Sequence, residues 1–523
     1  MGVNRSRVNS VRPKILAILA SCVIVILNTS MNSKSSPLEL SRAPSLTVRL
    51  LFHLNNLWLR VWFKVGLVIL ALVGCVLVEL HTSFLQSWLF SYINRRVFHE
   101  VGQGRSSHIV FPRAAPFDAR RGYSKLPAIQ ARLEAQGFRV TQQASQSSAM
   151  VELLNRGISP PYVEPSDTGI DIRGTEGKPL FRYGQSDFLF QKIEETPPLL
   201  VKTLLFLENR DLEQVNAPRQ NPAIEWDRLL KAALLYVGSK LYLPLPVQGG
   251  STLAVQLEKY RHSPNGRTGS PVEKLRQVFG ASLKAYQAGV ETRAWRDRII
   301  VDYLNTVPLA AAPGYGEIHG VGEGLYAWFG IPLEEIVNAF KSEKTTPAKV
   351  RAFKHVLALL IAVRAPTVYL VVDHAALEEK VAQYTRLLAK AKIIDPDLAA
   401  ALETTPIEFL PSAPLPPQPS SARNKAANAI RTTMMEILGI SNLYDLDRFH
   451  LDVQSTIDVP LQNKVTDFLH SLNDPDVVSA LGLNGARLLQ GKDPKKVVYS
   501  FLLVEPTPEG NWVRVQADSL LGP

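Results

Sequence analysis

An uncharged apolar stretch near the N-terminus most constrains how this chain can fold. Val65–Val78 contains no charged residue and lies within the longer apolar run Leu57–Leu80. Trp58, Arg60, Trp62 and Lys64 form an aromatic and cationic collar at the N-terminal end of that run. A helix of roughly 20 apolar residues crosses a bilayer, and cations at its end reach the headgroups. We therefore predict a transmembrane helix over residues 58–80.

Flanking charges predict the orientation of this helix. The cations on its N-terminal side are Arg42, Arg49, Arg60 and Lys64. The positive-inside rule keeps that side cytoplasmic, so we expect residues 1–57 in the cytoplasm and the remainder on the outer face. Ile15–Leu27 is too short to span and resembles the apolar region of a signal peptide, and a start at Met31 would remove it. A buried helical hairpin in a soluble protein is the alternative for the two apolar runs.

Composition limits the classes of partner. The 523 residues carry a net charge of +11 with a pI near 9.4, which favours nucleic acid, an anionic membrane or a phosphorylated substrate. An apolar fraction of 46% supports packed cores in two or three domains. The two cysteines, Cys22 and Cys75, both lie in apolar runs, so we expect neither a disulfide framework nor a thiolate metal site.

A glycine turn followed by a helix start is the strongest chemical signal in the soluble part. Gly249 and Gly250 free the backbone for close approach, and Ser251 or Thr252 can cap the helix that follows. Unpaired N–H groups and the positive end of the helix dipole at such a turn favour an anion, typically a phosphate. The alternative is a plain turn and helix cap without a ligand.

Five ordered motif regions between Phe181 and Tyr369 resemble the peptidoglycan glycosyltransferases of family 51, which polymerise lipid II. The family motif Gly-Gly-Ser-Thr-Ile-Thr-Gln-Gln-Leu-x-Lys is matched at Gly249, Gly250, Ser251, Thr252, Gln256, Leu257 and Lys259. The fourth motif is matched at Ile299, Ile300, Tyr303 and Asn305, and the fifth resembles residues 319–330. The resemblance implies a mainly α, lysozyme-like transglycosylase domain over residues 186–375.

The apolar spacing of Leu200, Leu204 and Leu207 predicts a helix with Glu208 near its end, and the resemblance assigns the general base to Glu208. The base would take the proton of the acceptor sugar's 4-hydroxyl, and such a carboxylate accelerates a reaction by about 10²–10⁴-fold. The neighbouring family residues are replaced here, by Asn209, Leu212, Val215 and Ala217. The predicted substrate-binding residues are Gly250, Ser251, Thr252, Gln256, Lys259, Arg228, Arg267 and Lys274. The donors and positive charge for the leaving pyrophosphate are expected from Gly250, Ser251, Thr252 and Lys259, with Arg228, Arg261 and Arg267 nearby in sequence.

The third family motif, Arg-Lys-x-x-Glu, departs from the pattern at its second catalytic carboxylate. Gln277 stands where the family has that glutamate, and Glu273 stands where it has arginine. Glu273 lies one helical turn away, so we hypothesise that it supplies the missing carboxylate. The alternative is that both residues lie on the surface beside Lys274.

The rest of the chain is expected to support this domain. We predict a membrane-proximal linker and small α/β pedestal over residues 81–185, with an amphipathic helix over 81–98, a strand over 138–141 and a hairpin over 170–183. Residues 376–450 are predicted to be a helical and Pro-rich linker, and residues 497–517 to form a hairpin. Residues 451–523 resemble the start of a transpeptidase-like domain and form an α+β fragment. No Ser-x-x-Lys nucleophile motif occurs, so we expect no acyl transfer, and we expect the chain to be a fragment or a truncated product.

The sequence therefore predicts a membrane-anchored glycosyltransferase of the bacterial inner membrane with its catalytic domain on the outer face. The expected partners are lipid II, the nascent glycan strand, the membrane and other cell-wall synthesis proteins, and nucleic acid is not expected. No cofactor is required, although Mg or Mn assists the family. One alternative is a catalytically impaired member that binds lipid II or acts as a scaffold, and another is a lytic enzyme that cleaves glycan.

Overall fold

The computed structural model describes residues 46–113, 115–184, 186–210, 212, 217–226, 251–414, 425–508 and 510–520. Ile15–Leu27, Arg228 and the turn glycines Gly249 and Gly250 lie outside the described residues. The chain divides into two compact units, Met1–Cys75 and Val76–Pro523.

The first described helix contains the predicted membrane span. Helix α1 covers Leu46–Thr82 and so begins before the predicted boundary at residue 58. Its segment Trp62–Thr82 has a mean hydropathy of 2.4 and no buried part. Among the described helices, this segment is the one long and apolar enough to cross a membrane, judged by length and composition.

A second helix, α2, follows at Phe84–Asn94 and agrees with the amphipathic continuation predicted over residues 81–98. Ser83 has a φ of 48°, which breaks the helical backbone between α1 and α2. One face of α2 is buried, where Phe90 stacks on Tyr286 with ring centroids 5.9 Å apart. The large apolar side chains on its exposed face are Phe84, Leu85, Trp88, Leu89 and Tyr92.

Short elements fill the segment before the helical domain. They are β1 (His99–Gln103), α3 (Pro116–Arg120), α4 (Leu126–Ala135), β2 (Gln142–Gln146), α5 (Ser148–Asn155), β3 (Gly169–Arg173) and β4 (Pro179–Gly184). Strands β1 and β2 pair antiparallel, as do β3 and β4, which confirms the predicted hairpin at residues 170–183.

The predicted strand over Phe138–Thr141 is wrong, because β2 begins at Gln142. The preceding residues close helix α4 instead. Gly137 has a φ of 89°, and the N–H of Phe138 donates to the carbonyl of Leu133. This glycine-based helix end occupies the backbone groups that a strand at Phe138 would have used.

Nine helices and one hairpin make up the described part of the central domain. They are α6 (Pro198–Glu208), α7 (Leu253–His262), α8 (Pro271–Ala285), α9 (Arg293–Thr306), β5 (Pro308–Ala312), β6 (Gly316–His319), α10 (Val321–Phe329), α11 (Leu333–Phe340), α12 (Pro347–Ala362), α13 (His374–Lys390) and α14 (Pro396–Thr404). Helix α12 lies at the centre of the core, where Phe353, Leu357 and Leu359 are fully buried. The mainly helical architecture agrees with the predicted fold class.

The C-terminal elements complete the small sheet that begins before the helices. They are α15 (Lys425–Leu438), α16 (Leu443–Leu446), β7 (His450–Gln454), α17 (Val459–Ser471), α18 (Pro475–Ala480), β8 (Ser500–Thr507) and β9 (Gly510–Asp518). Strand β7 pairs parallel with β3, giving the sheet order β4-β3-β7. Strands β8 and β9 form the predicted C-terminal hairpin.

Candidate active site

Glu208 is the last residue of helix α6. Leu200 and Leu204 fix the helix in the core, where both are fully buried. Asn209 leaves the helical backbone with a φ of −157°, so α6 ends at Glu208. The side-chain oxygen of Asn209 accepts a hydrogen bond from the N–H of Leu253 at 3.0 Å. This bond joins the end of α6 to the start of α7.

Thr252 caps helix α7. Its hydroxyl oxygen accepts a hydrogen bond from the N–H of Val255 at 3.4 Å, and the hydroxyl donates to the carbonyl of Ala223 at 3.3 Å. The residue is 1% exposed. The Thr252 hydroxyl, which the sequence assigned to substrate binding, therefore serves the helix cap. Gln256 and Lys259 follow on the next turns of α7.

The Glu208 carboxylate contacts one side chain from α7 and one from the segment after α12. Gln256 Nε2 donates to Glu208 Oε2 at 2.9 Å. A guanidinium nitrogen of Arg364 lies 3.6 Å from Glu208 Oε1. The Glu208 side chain is 13% exposed, so it combines contact with solvent and a fixed position.

Two tyrosine hydroxyls orient the Gln256 amide. Tyr260 donates to Gln256 Oε1 at 3.3 Å, and Tyr303 donates to the same oxygen at 3.5 Å. Burial raises the pKa of both tyrosines, so both hydroxyls remain donors at neutral pH. With its oxygen engaged in this way, the Gln256 amide presents its NH₂ group to Glu208.

A cavity of about 710 Å³ opens in front of Glu208. The charged or basic side chains that line it are Arg120, Glu208, Lys259, Arg261, Arg267, Arg364 and His319. Of the described lining residues, Glu208 alone carries a carboxylate. The cavity therefore pairs one acidic group with an excess of positive charge, which suits an anionic substrate.

Lys259, in the last turn of α7, and Lys274, in the first turn of α8, lie close enough for their charges to interact. The ammonium group of Lys274 donates to the Ser251 hydroxyl at 2.5 Å. Burial lowers the pKa of Lys274 to about 8, and the charge of Lys259 adds to this effect. Burial also lowers the pKa of Lys259, although the Glu208 carboxylate opposes the shift. Lys259 lines the cavity with Glu208, whereas Lys274 and Ser251 are not among its described lining residues.

The structure places Glu273 and Gln277 in structural contacts at the start of α8. Ser270 Oγ accepts from the N–H of Glu273 at 3.1 Å, and Glu273 Oε2 accepts from the N–H of Gly269 at 2.7 Å. This reciprocal arrangement closely resembles a capping box. Gln277 is 5% exposed, and its Nε2 donates to Ser263 at 2.7 Å.

Neither Glu273 nor Gln277 is among the described residues that line the cavity. These positions favour helix capping for Glu273 over the hypothesised role as second carboxylate. They also differ from the alternative that both residues are surface side chains, because Gln277 is buried.

A protein-family comparison decides the class of this domain. Residues 176–391 match the family model for Transglycosylase. The chain carries a transglycosylase domain. The match contains Glu208, Gln256, Lys259, Lys274 and Arg364. No curated protein matches the chain.

Two further cations of the transglycosylase domain, Arg267 and Arg364, also line the cavity. Arg267 was predicted from its nearness in sequence to α7. Arg364 was missed, although it lies within the Phe181–Tyr369 region that carries the resemblance. Burial opposes the charge on Arg364, but the Glu208 carboxylate raises its pKa, so it remains a guanidinium cation.

A buried ionic network fixes the other face of α7. Glu164, 4% exposed, lies 3.2 Å from Arg261, 2.9 Å from His262 and 3.4 Å from Lys284. Asp118 lies 3.3 Å from the other ring nitrogen of His262. The network therefore joins the transglycosylase domain to α3 and to the loop before β3.

The described residues contain no group of three or more histidine, cysteine, aspartate or glutamate side chains able to hold a metal ion. A requirement for a divalent cation stays a prediction.

Proposed function

We propose that this protein is a peptidoglycan glycosyltransferase that polymerises lipid II into glycan strands. The transglycosylase domain supports the reaction class. The observation that carries the proposal is the position of Glu208, which lies in the wall of a cation-rich cavity and contacts Gln256 and Arg364. The lysozyme-like arrangement implied by the family resemblance belongs to this proposal.

In the proposed reaction, Glu208 takes the proton from the 4-hydroxyl of the acceptor sugar. The acceptor oxygen forms a bond to the anomeric carbon of the donor while the bond from that carbon to the pyrophosphate oxygen breaks. The configuration inverts, and the electron pair leaves with undecaprenyl pyrophosphate. Lys259, Lys274 and Ser251 stabilise the negative charge on the leaving group.

Polymerisation of lipid II by the full-length protein tests this proposal. We expect glycan strands from wild type and a loss of about 10²–10⁴-fold in rate for Glu208→Gln. Glu273→Gln is the matched control because its carboxylate caps α8 and does not line the cavity. Absence of glycan strands from folded wild-type protein would refute the catalytic proposal.

The second candidate function is lipid II binding without turnover. The specific observation in its favour is the single carboxylate among the described cavity-lining residues, together with the buried Gln277 amide at the position of the family's second glutamate. The same assay separates the two functions, since a binding protein would retain lipid II without extending it.

We further propose that α1 anchors the protein in the bacterial inner membrane with the cavity on the outer face, where lipid II and the growing strand are presented. The exposed Trp88 and Tyr92 of α2 suit the membrane–water interface. Labelling of a cysteine introduced at an exposed site such as Ser441 with a membrane-impermeant reagent in intact spheroplasts tests this orientation.

A further inference from the structure

One end of the cavity is lined by an arginine that lies outside the matched transglycosylase segment. Arg120 is the last residue of α3 and precedes residues 176–391. Contacts to α7 hold α3 in place, since the Arg261 guanidinium lies 5.1 Å from the Phe117 ring centroid and Asp118 contacts His262. The segment before the domain therefore contributes a side chain to the cavity that contains Glu208.

Arg120 has no hydrogen-bond or ion-pair partner in the described part of the chain. Its Nε atom is buried and unpaired. The two carboxylates whose charges act on it are engaged elsewhere. Glu323 accepts from the N–H of His319 at 2.7 Å, and Glu317 lies 3.6 Å from Arg448.

The surroundings of Arg120 increase the need for an external anion. Arg121 and Arg448 both act on it as like charges. His319, which also lines the cavity, has a buried and unpaired Nδ1, and burial holds the pKa of this ring well below its usual range. An uncompensated guanidinium beside a neutral imidazole is a strong site for a planar oxyanion.

Arg267 extends the same end of the cavity. A Cβ built on Gly266 would lie 3.9 Å from Cγ of Pro116, so the loop that carries Arg267 packs beside the start of α3. Gln277 anchors this loop through Ser263 and Thr268. Arg120 and Arg267 are thus presented by two neighbouring segments.

We propose that Arg120 and Arg267 bind a carboxylate of the stem peptide on lipid II, an assignment that rests on the proposed function. Lys259 and Lys274 already serve the pyrophosphate in that function. The remaining anions of this substrate are peptide carboxylates, and an arginine fork matches a planar carboxylate in bidentate geometry. The site would select the substrate and would not act in bond formation.

Binding of soluble short-chain lipid II to full-length protein in detergent, measured by titration calorimetry, tests the site. Two ligands are compared, one with free stem-peptide carboxylates and one with those carboxylates amidated. We expect wild type to bind the free form about 10-fold more tightly, as for one charge-assisted hydrogen bond. Arg120→Gln should lose this preference and bind both ligands alike. Arg113→Gln, an exposed arginine of the same segment, should behave as wild type.

The inference would be overturned if Arg120→Gln kept the wild-type preference for the free-carboxylate ligand, or if wild type did not bind lipid II. It would also be overturned if Arg120→Gln lost affinity equally for both ligands, because that result would indicate phosphate recognition. Arg120→Lys keeps the charge without the fork and should retain part of the discrimination, which covers the case that Arg120→Gln does not fold. Binding without glycan synthesis by wild type would refute the catalytic proposal while leaving this site intact.

Discussion

The amide of Gln256 donates to Glu208 Oε2 at 2.9 Å, and the opposite end of the same amide accepts from Tyr260 and Tyr303. The Glu208 carboxylate is therefore held in place by an uncharged hydrogen-bond donor. These contacts would hold the proposed base in one orientation, because the amide is itself held by two tyrosines of the core.

Replacement of Gln256 tests this support. We expect Gln256→Leu to reduce kcat for lipid II polymerisation by roughly 10- to 100-fold, because the carboxylate loses a hydrogen bond of about 1.5–3 kcal/mol. Leu257→Met, a volume-conserving change on the same helix, serves as control. A kcat equal to that of wild type would show that the amide does not support the base.

The Gln277→Glu substitution tests whether restoring the family's glutamate provides a second catalytic carboxylate. We expect no gain in polymerisation rate, since the side chain is buried against Ser263 and Thr268 and does not line the cavity. A carboxylate cannot replace the amide donor, so we expect a loss of about 1–3 kcal/mol in the free energy of unfolding. Denaturant unfolding and the polymerisation assay measure the two effects, and a faster enzyme would contradict this interpretation.

The pKa of Lys274, lowered to about 8 by burial, predicts pH-dependent anion binding. The ammonium group loses its proton as the pH rises through about 8, so the affinity for inorganic pyrophosphate should fall between pH 7 and pH 9. Lys274→Arg should flatten this dependence because arginine remains charged. Lys202→Arg, an exposed change on α6, is the matched control, and calorimetric titrations at both pH values make the measurement.

His262 predicts a pH-dependent stability. Burial lowers its pKa, but the carboxylates of Glu164 and Asp118 together outweigh burial and raise the pKa to about 9 from 6.5. Because the folded-state pKa is the higher one, this stabilisation is complete below about pH 6.5 and is lost as the pH rises through about 9. We expect the Tm of wild type to fall over this range more steeply than that of His262→Gln. His108→Gln, at an exposed histidine, should follow wild type.

Removal of Glu164 should unfold the connection between α3 and α7. Glu164→Gln leaves the nearby charges of Arg261, His262 and Lys284 without this buried carboxylate, and such a change typically costs about 3–5 kcal/mol. Glu152→Gln, in an exposed pair with Arg156, should change the free energy of unfolding by less than about 1 kcal/mol. Equal effects of the two substitutions in denaturant unfolding would exclude the assigned role of the network.

The sequence predicted those parts of the site that depend on local order along the chain. The apolar spacing of Leu200 and Leu204 placed Glu208 at the end of a helix, and the glycine turn with its following helix placed Gln256 and Lys259 near one another. The helix-capping role of Glu273 could also have been predicted from the sequence, because Ser270 and Glu273 have capping-box spacing. The resemblance to the third family motif instead suggested a catalytic role for this carboxylate.

The positions of two cavity arginines, Arg364 and Arg120, could not be predicted from the sequence. Arg364 reaches Glu208 only because α12 packs in the core beside α6. Arg120 reaches the cavity from a five-residue helix held by His262 and by Arg261, contacts between residues about 140 positions apart. No periodic sequence pattern predicts such contacts, because they arise from the tertiary packing of segments that are far apart in the chain.

The parallel pairing of β3 with β7 has a consequence for biosynthesis. The ribosome produces β3 well before His450, so the hydrogen-bonding edge that β7 will cover stays open while the whole transglycosylase domain is made. Ile170 and Ile172 lie in that strand, and an open apolar strand edge readily pairs with another chain. Nascent chains that stop short of residue 450 should consequently aggregate even when every residue of the cavity has been synthesised.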